Sequence, residues 1–558
     1  MTEAETTQPS QRNRTISLSN KNLSGVVSSP IKAALVAGLC ILFSAALIPA
    51  GPAQGYDVAP SAAVSDAAML AIPTRVIIEL PNVLTPEEVT HYRALFAAQA
   101  ADRWNDANRL VADTENKLLL GHALSQRYLH PRYRSSYSEL AAWLAAYGDH
   151  PDARRIYDLA LRRKPATAEA LSAPSGGSKL PPGGIKSAAV APPPERWGPA
   201  LENFRNKRYG TAAKQFEAVA RLTKASPWVV SAGAFWAARA HMLGGQPQQV
   251  SQWLSKAAQH PLTFYGLLAR ETLGIEGALD LRDPFLHKDD ALALIEQPSG
   301  RRAIALLQIE QAKRAEYELA TVQIGDSAQL ARAVVALANH LNMPSLSLRI
   351  GNSPVGLEQA EQDAAVYPIP PWQPQGGYDI DRALIYALMR RESSFNPNAR
   401  NNSGASGLMQ LMPATARAMA GQSLSSGKLL EPETNIALGQ KYLHRLLTDG
   451  AVNGDLIRLM AAYNAGPGNI SKWQRQISAD DPLLFIASLP SRETRVFIES
   501  VLTDLWIYHM RLGQQSPSLA TLASGGWPLY LAQDGLPNGY IAEAKFTFND
   551  AEITDAGN

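Results

Sequence analysis

Apolar positions recur with helical spacing over most of the chain. Between 80 and 163, Leu118, Leu119, Leu120, Ala123, Leu124, Tyr128 and Leu129 fall on one face, and the stretch 140–147 (LAAWLAAY) follows. Gly148, Asp149, His150 and Pro151 break the pattern before it resumes at Ala153. Residues 166–195 hold almost no large apolar side chain and cannot build a core. From Trp197 the helical pattern returns, with small residues interleaved with aromatics: Phe216, Phe235, Trp236, Trp253, Phe264 and Tyr265. Small residues let paired helices approach, and the aromatics fill the gaps between pairs, as in tetratricopeptide-type repeats. Trp143, Trp236 and Trp253 each lie in phase with an apolar face, so core packing is expected for them. Three more helices are expected at 303–311, 314–322 and 327–341. The Pro-rich stretch 367–372 (YPIPPW) marks a boundary, after which the pattern changes and runs to about Arg511. The reading is an all-α chain.

Length and charge refine this picture. A chain of 558 residues is too long for one core. The formal charge of +2 comes from residues 1–53, without which basic and acidic groups balance, so nothing steers the chain to nucleic acid. Residues 33–49 (AALVAGLCILFSAALIP) form an uncharged run after Lys32, followed by small residues; they read as a secretory signal peptide or an uncleaved membrane anchor. Both readings export the bulk of the chain. The single cysteine, Cys40, lies inside this run, which excludes disulfides from the remainder. The ten histidines lack the spacing of a zinc motif, and neither a metal nor another cofactor is expected.

The candidate chemistry lies after the Pro-rich boundary. An amphipathic stretch from Asp379 ends at Glu392, followed at once by Ser393, Ser394, Phe395, Asn396 and Pro397, which stop any helix. A helix C-terminus disfavours a second anion, so a partly buried acid there should hold its proton to higher pH. An uncharged Gly-rich run, 404–413 (GASGLMQLMP), comes next, then 462–466 (AYNAG), then Glu493, Thr494 and Arg495. These four ordered motifs are similar to the catalytic domain of the soluble lytic transglycosylases, bacterial enzymes of goose-lysozyme-like fold that cut peptidoglycan glycan strands. The helical region before them resembles the superhelical arm of the large members, with 260–269 (HPLTFYGLLA) like one segment of it.

The resemblance implies a division into 1–53 (signal peptide or membrane anchor), 54–75 (flexible), 76–165 (N-terminal helical arm), 166–196 (disordered Pro/Gly/Ala-rich linker), 197–365 (helical superhelix), 366–515 (lysozyme-like catalytic domain) and 516–558 (tail, part of which docks back). It implies a periplasmic enzyme that cleaves the β-1,4 bond between N-acetylmuramic acid and N-acetylglucosamine without water. Partners would be peptidoglycan strands and cell-wall synthesis or division proteins. Glycosidases generally use two carboxylates, whereas these motifs supply one. Glu392, matched to the family's acid, would protonate the leaving oxygen and then accept a proton from the muramoyl C6 hydroxyl, which closes on C1 as a 1,6-anhydro end. Asn401, Met409, Gln410, Tyr463 and Asn464 are the expected substrate contacts, with Met409 as an apolar floor and Gln410 as an amide partner. Glu493, Arg495 and Phe497 are expected to support the cleft, Glu493 pairing with Arg495 and orienting Tyr463. Two positions depart from the family: Asn401 stands where serine is frequent, and Phe497 where tyrosine is. A hydrolytic muramidase and a non-catalytic binding scaffold are the alternatives.

Overall fold

The computed structural model describes residues 77–168, 170–171, 173–175, 195–275, 279–477, 479–534 and 545–549. The segments expected as signal or anchor and as flexible leader, with most of the 166–196 linker, lie outside them. The described elements are helices, apart from one pair of strands, Ile77–Pro81 and Lys545–Asn549, which run parallel with Ile77 opposite Lys545. That pairing was not expected of a polar tail. Among the described residues no helix is long and apolar enough to cross a membrane.

Local chemistry sets the helix starts. Thr85 and Glu88 form a reciprocal cap at the helix Pro86–Ala100, and Ser136 and Glu139 do the same for Tyr137–Ala146. Proline occupies the first turn of Pro227–Leu243, Pro298–Gln308 and Pro344–Gly351, where its missing N–H costs nothing. The helices expected near 303, 314 and 327 are Pro298–Gln308, Ala312–Leu319 and Ala328–His340. The first begins five residues early because Pro298 supplies the start.

Packing does not follow chain order. One core joins Leu80, Leu95, Phe96 and Leu119 to residues of 286–350. A smaller core, around Leu140, Trp143 and Ile156, lies beside it in sequence. A third joins the 200–281 helices to Leu348 and to buried residues between Val366 and Leu522. Trp143, Trp236 and Trp253 are all buried, as their phase predicts. The arm segment 260–269 meets the later domain directly. Phe264 stacks on Trp506 at 5.3 Å between ring centroids, and the Tyr265 hydroxyl donates to Glu499 at 3.0 Å. Such an aromatic pair adds roughly 0.5–1.5 kcal/mol beyond area burial.

Candidate active site

The helix Arg382–Ser393 carries Glu392 in its last turn. Both of its ends are pinned by residues far away in sequence. At the start, the Asp534 carboxylate accepts from the Arg382 backbone N–H at 2.6 Å and pairs with its guanidinium, capping the positive helix end. Asp381 accepts from the backbone of Gln533 and Asp534 at 2.7 and 2.9 Å, and the Tyr530 hydroxyl receives the Asp381 N–H at 2.9 Å. Residues 528–530 reach this place by docking on the 454–456 turn, with Leu456 N–H on the Pro528 carbonyl and Tyr530 N–H on that of Gly454, both 2.8 Å.

At the other end, Ser394 and Phe395 take left-handed φ values of 51° and 60°. The Ser394 N–H bonds back to the Arg390 carbonyl, and that of Phe395 to Met389. This reversal ordinarily uses glycine, and a bulky residue at positive φ is strained. Here the fully buried Phe395 ring holds the turn in place. The two arginines before Glu392 are directed away from it. Buried Asp504, on the helix Arg492–Arg511, accepts from Arg390 at 2.9 and 3.0 Å, from Arg391 at 2.7 Å and from the Tyr367 hydroxyl at 3.1 Å.

Glu392 is therefore partly buried, and among the described residues no cation lies in ion-pair reach of it. Burial first, and the negative charge of Glu493 second, push its pKa up to about 8. The expected rise is present, and its causes are desolvation and a neighbouring acid. Glu392 is thus protonated near neutral pH. Proton donation should fail as pH rises through about 8, so any reaction that draws on this proton should slow on that alkaline limb. The same shift bears on stability. A raised folded pKa favours folding fully below the ordinary value of 4.5, and that contribution is lost as pH rises through about 8. Glu392→Gln has no such proton to lose. Its melting temperature should gain on the parent's between those pH values, and equal offsets at pH 4 and pH 9 would contradict the shift.

The Gly-rich run forms one wall. Gly407 has φ +82°, and a Cβ there would lie 2.2 Å from the Asn435 amide. That amide bonds the Ser406 and Leu429 carbonyls, while its oxygen receives the Met409 N–H at 2.8 Å. The Met409 side chain is fully buried and packs where Gly439 lacks a Cβ. The expected apolar floor is therefore a core anchor: Gly439 opens the socket that draws the thioether inward, and the Met409 backbone bonds Asn435 and Tyr463. Gln410, at φ 44°, donates from its amide to the Ala399 and Gly407 carbonyls at 3.1 and 2.9 Å, bracing the turn. Asn401 is exposed, and its side-chain oxygen accepts from the Ser403 and Ala405 backbones at 2.9 Å each. The oxygen thereby shapes the loop and the amide nitrogen is left to face outward.

An aromatic group packs against this run. Tyr463 donates to the Met409 carbonyl at 2.8 Å, stacks on Phe497 at 6.3 Å and 6°, and tilts against Tyr442 at 5.5 Å. Burial and the charge of Glu392 hold the Tyr463 hydroxyl protonated well above its ordinary range. Tyr463 thus ties the Gly-rich wall to the acid. The partner of its hydroxyl is this backbone carbonyl, which corrects the expectation that Glu493 orients it. Tyr463→Phe should leave the carbonyl unpaired and cost roughly 1 kcal/mol, read as a lower urea midpoint together with reduced turnover. Asn464 accepts from the Thr494 hydroxyl at 2.8 Å and so joins two helices.

The expected Glu493–Arg495 pair is not present. Residues two apart on a helix point to different sides. Arg495 donates to the Leu489 and Pro490 carbonyls, while Glu493 is exposed and makes itself felt through its charge on Glu392. Sequence reasoning missed Asn435, Gly439 and Tyr442. Their spacing along the helix Pro432–Leu447 places them on one face, a signal that could have found them. It also missed a convergence in the arm, where His122, His150 and Glu318 come together although the histidines are scattered in sequence. Burial lowers both imidazoles to about 3, so they are neutral, and Arg302 binds both Glu318 oxygens at 2.7 and 3.0 Å.

Residues 372–485 match the family described as transglycosylase SLT domain. Over 157 residues the chain is 37% identical to the soluble lytic murein transglycosylase of Escherichia coli (strain K12), a stretch covering 27% of this chain and 24% of that protein. The enzyme of the same name from Salmonella typhimurium is 36% identical over the same length and the same shares. The match thus spans about a quarter of these curated relatives. The solved 70 kDa soluble lytic transglycosylase of Escherichia coli aligns over 79% of this chain and 99% of its own, at 17% identity and a TM-score of 0.49.

Proposed function

We propose that this chain, whose residues 372–485 match the transglycosylase SLT domain, is an exported, periplasmic enzyme that cleaves peptidoglycan glycan strands without consuming water. The observation that carries this reading is the state of Glu392: an acid with no counter-cation in reach among the described residues, raised to about 8 by burial and by Glu493 of the fourth motif. Protonated, it gives its proton to the oxygen between N-acetylmuramic acid and N-acetylglucosamine as the bond to C1 breaks. As carboxylate, it takes the proton of the muramoyl C6 hydroxyl as that oxygen bonds to C1, giving a 1,6-anhydro end. Proton and oxygen balance, and Glu392 returns to its starting state. Asn401, Gln410 and Asn464 border the path of the strand. The helical arm supplies surface for cell-wall synthesis or division proteins.

Exposed Glu493, close enough to raise the Glu392 pKa, favours one second reading, in which it activates water and the enzyme is a hydrolase. Mass analysis of products from purified peptidoglycan separates the two. The proposal expects muropeptides lighter by one water than the hydrolytic products. Reducing ends would establish hydrolysis, and no released sugar would leave a binding scaffold.

A further inference from the structure

Residues 527–534 lie beyond the stretch 372–485 that matches the SLT domain. They nevertheless hold the first turns of two helices, Arg382–Ser393 and Leu456–Ala465, whose last turns carry Glu392 and Tyr463. On the first helix, Asp381 stands where a capping aspartate belongs, yet its carboxylate makes no bond to its own helix. It is turned to the N–H groups of Gln533 and Asp534, and Asp534 caps in its place, accepting from the Arg382 N–H and guanidinium. The cap is itself held, because the Gln514 amide donates to the Asp534 carboxylate at 2.7 Å. Tyr530 bridges both helix starts: its hydroxyl accepts the Asp381 N–H, and its own N–H donates to the Gly454 carbonyl, just before the second helix. There the Leu456 N–H meets the Pro528 carbonyl, and the Arg458 guanidinium lies 4.6 Å from the centre of the Trp527 ring.

A helix of 12 residues is a stiff rod about 18 Å long, so the seat of its first turn decides where its last turn points. A cap made within the helix would stabilise that helix alone. One delivered from 152 residues away also fixes the helix against its neighbour. A single short segment therefore sets two rods against each other. At their far ends Tyr463 bonds the Met409 carbonyl, and the charge of Glu392 reaches its hydroxyl. We infer that Tyr530 and Asp534 are positioning residues for the proton transfer, acting through the two helices to keep Glu392 in register with Tyr463. The inference rests on the proposed function and extends the machinery of that reaction to residues beyond the matched domain.

The test follows cleavage of soluble peptidoglycan strands against pH in the full-length parent, Asp534→Ala, Tyr530→Phe and Thr85→Ala. Asp534→Ala should lower kcat about tenfold to a hundredfold, the cost of misplacing a reacting group by up to about 1 Å, with KM held within about twofold. As Glu392 loses its fixed, partly buried setting, the alkaline limb should move to lower pH. Tyr530→Phe removes only the acceptor of the Asp381 N–H and should move both readings the same way by less. Thr85→Ala deletes an exposed helix cap in the arm and should leave kcat and limb as in the parent. A parent-like kcat and limb in Asp534→Ala would overturn the inference. So would a fall in kcat with the limb unmoved, which loss of folded protein alone would produce. Should Asp534→Ala fail to fold, Tyr530→Phe decides by the same two readings. A parent that releases no strand fragments, or Glu392→Gln as fast as the parent, would instead overturn the proposed function, and the inference with it.

Discussion

Glu392→Gln should cut glycan strands about 10²- to 10⁴-fold more slowly than the parent, the usual worth of a positioned proton donor, while still binding them. Glutamine keeps the shape of the side chain and removes the transferable proton. The other acid on this helix does not replace it: Asp381 is at the far end, occupied by the backbone of Gln533 and Asp534. Glu493 is exposed and not held by burial. Strand cleavage should be followed by release of soluble muropeptides from cell walls, with strand binding measured separately. Cleavage at the parent rate would show that the proton comes from elsewhere. Loss of binding along with rate would show that the substitution had disturbed the cleft itself.

Asp504→Ala should destabilise the protein by about 3–5 kcal/mol, since removing one partner of a buried ion pair leaves uncompensated charge. Here one carboxylate serves two guanidiniums. Asp504 is fully buried, Arg390 is nearly so, and Arg390 lies 4.2 Å from the centre of the Tyr367 ring while donating to the Val366 carbonyl at 2.8 Å. Those other contacts cannot neutralise it. A fall in the midpoint of chemical denaturation, with the slope unchanged, would register the effect. The milder Asp504→Asn should report on the acid as well. Once Arg391 is released from residue 504, its charge can reach Glu392 and favour the carboxylate, moving the alkaline limb of activity to lower pH. An unmoved limb would mean that Arg391 is held in place by something other than Asp504.

These dependencies explain what could be read from sequence. Glu392 was legible because its signals are local: an apolar periodicity, an abrupt stop, and companion motifs in fixed order. The buried tryptophans were legible for the same reason, through their phase on individual helices. Met409 was misread because what buries it is the missing side chain of Gly439, thirty residues later on another helix. The Glu493–Arg495 pair was inferred from adjacency in sequence, which helical geometry does not convert into contact. Tyr530 lies in the part of the tail expected to dock back, whereas Asp504 and Asp534 gave no warning. An aspartate on an amphipathic helix looks like a solvated residue until the fold sets two arginines from 114 and 113 positions away against it. The strands Ile77–Pro81 and Lys545–Asn549 are a still longer pairing, between the start of the range expected as helical arm, which is strand here, and a tail whose composition alone predicts little order.

The clasp that residues 528–534 form on the start of the Glu392 helix has a practical meaning for anyone excising this domain. A fragment ending at Arg511, where the homology-bearing motifs are already complete, would strip the cap from Arg382 and leave the Asp381 carboxylate without the backbone N–H groups of Gln533 and Asp534. A portable form of this domain therefore extends past its signature sequences to Asp534, and a fusion partner joined before that residue would displace the clip on the start of the Glu392 helix.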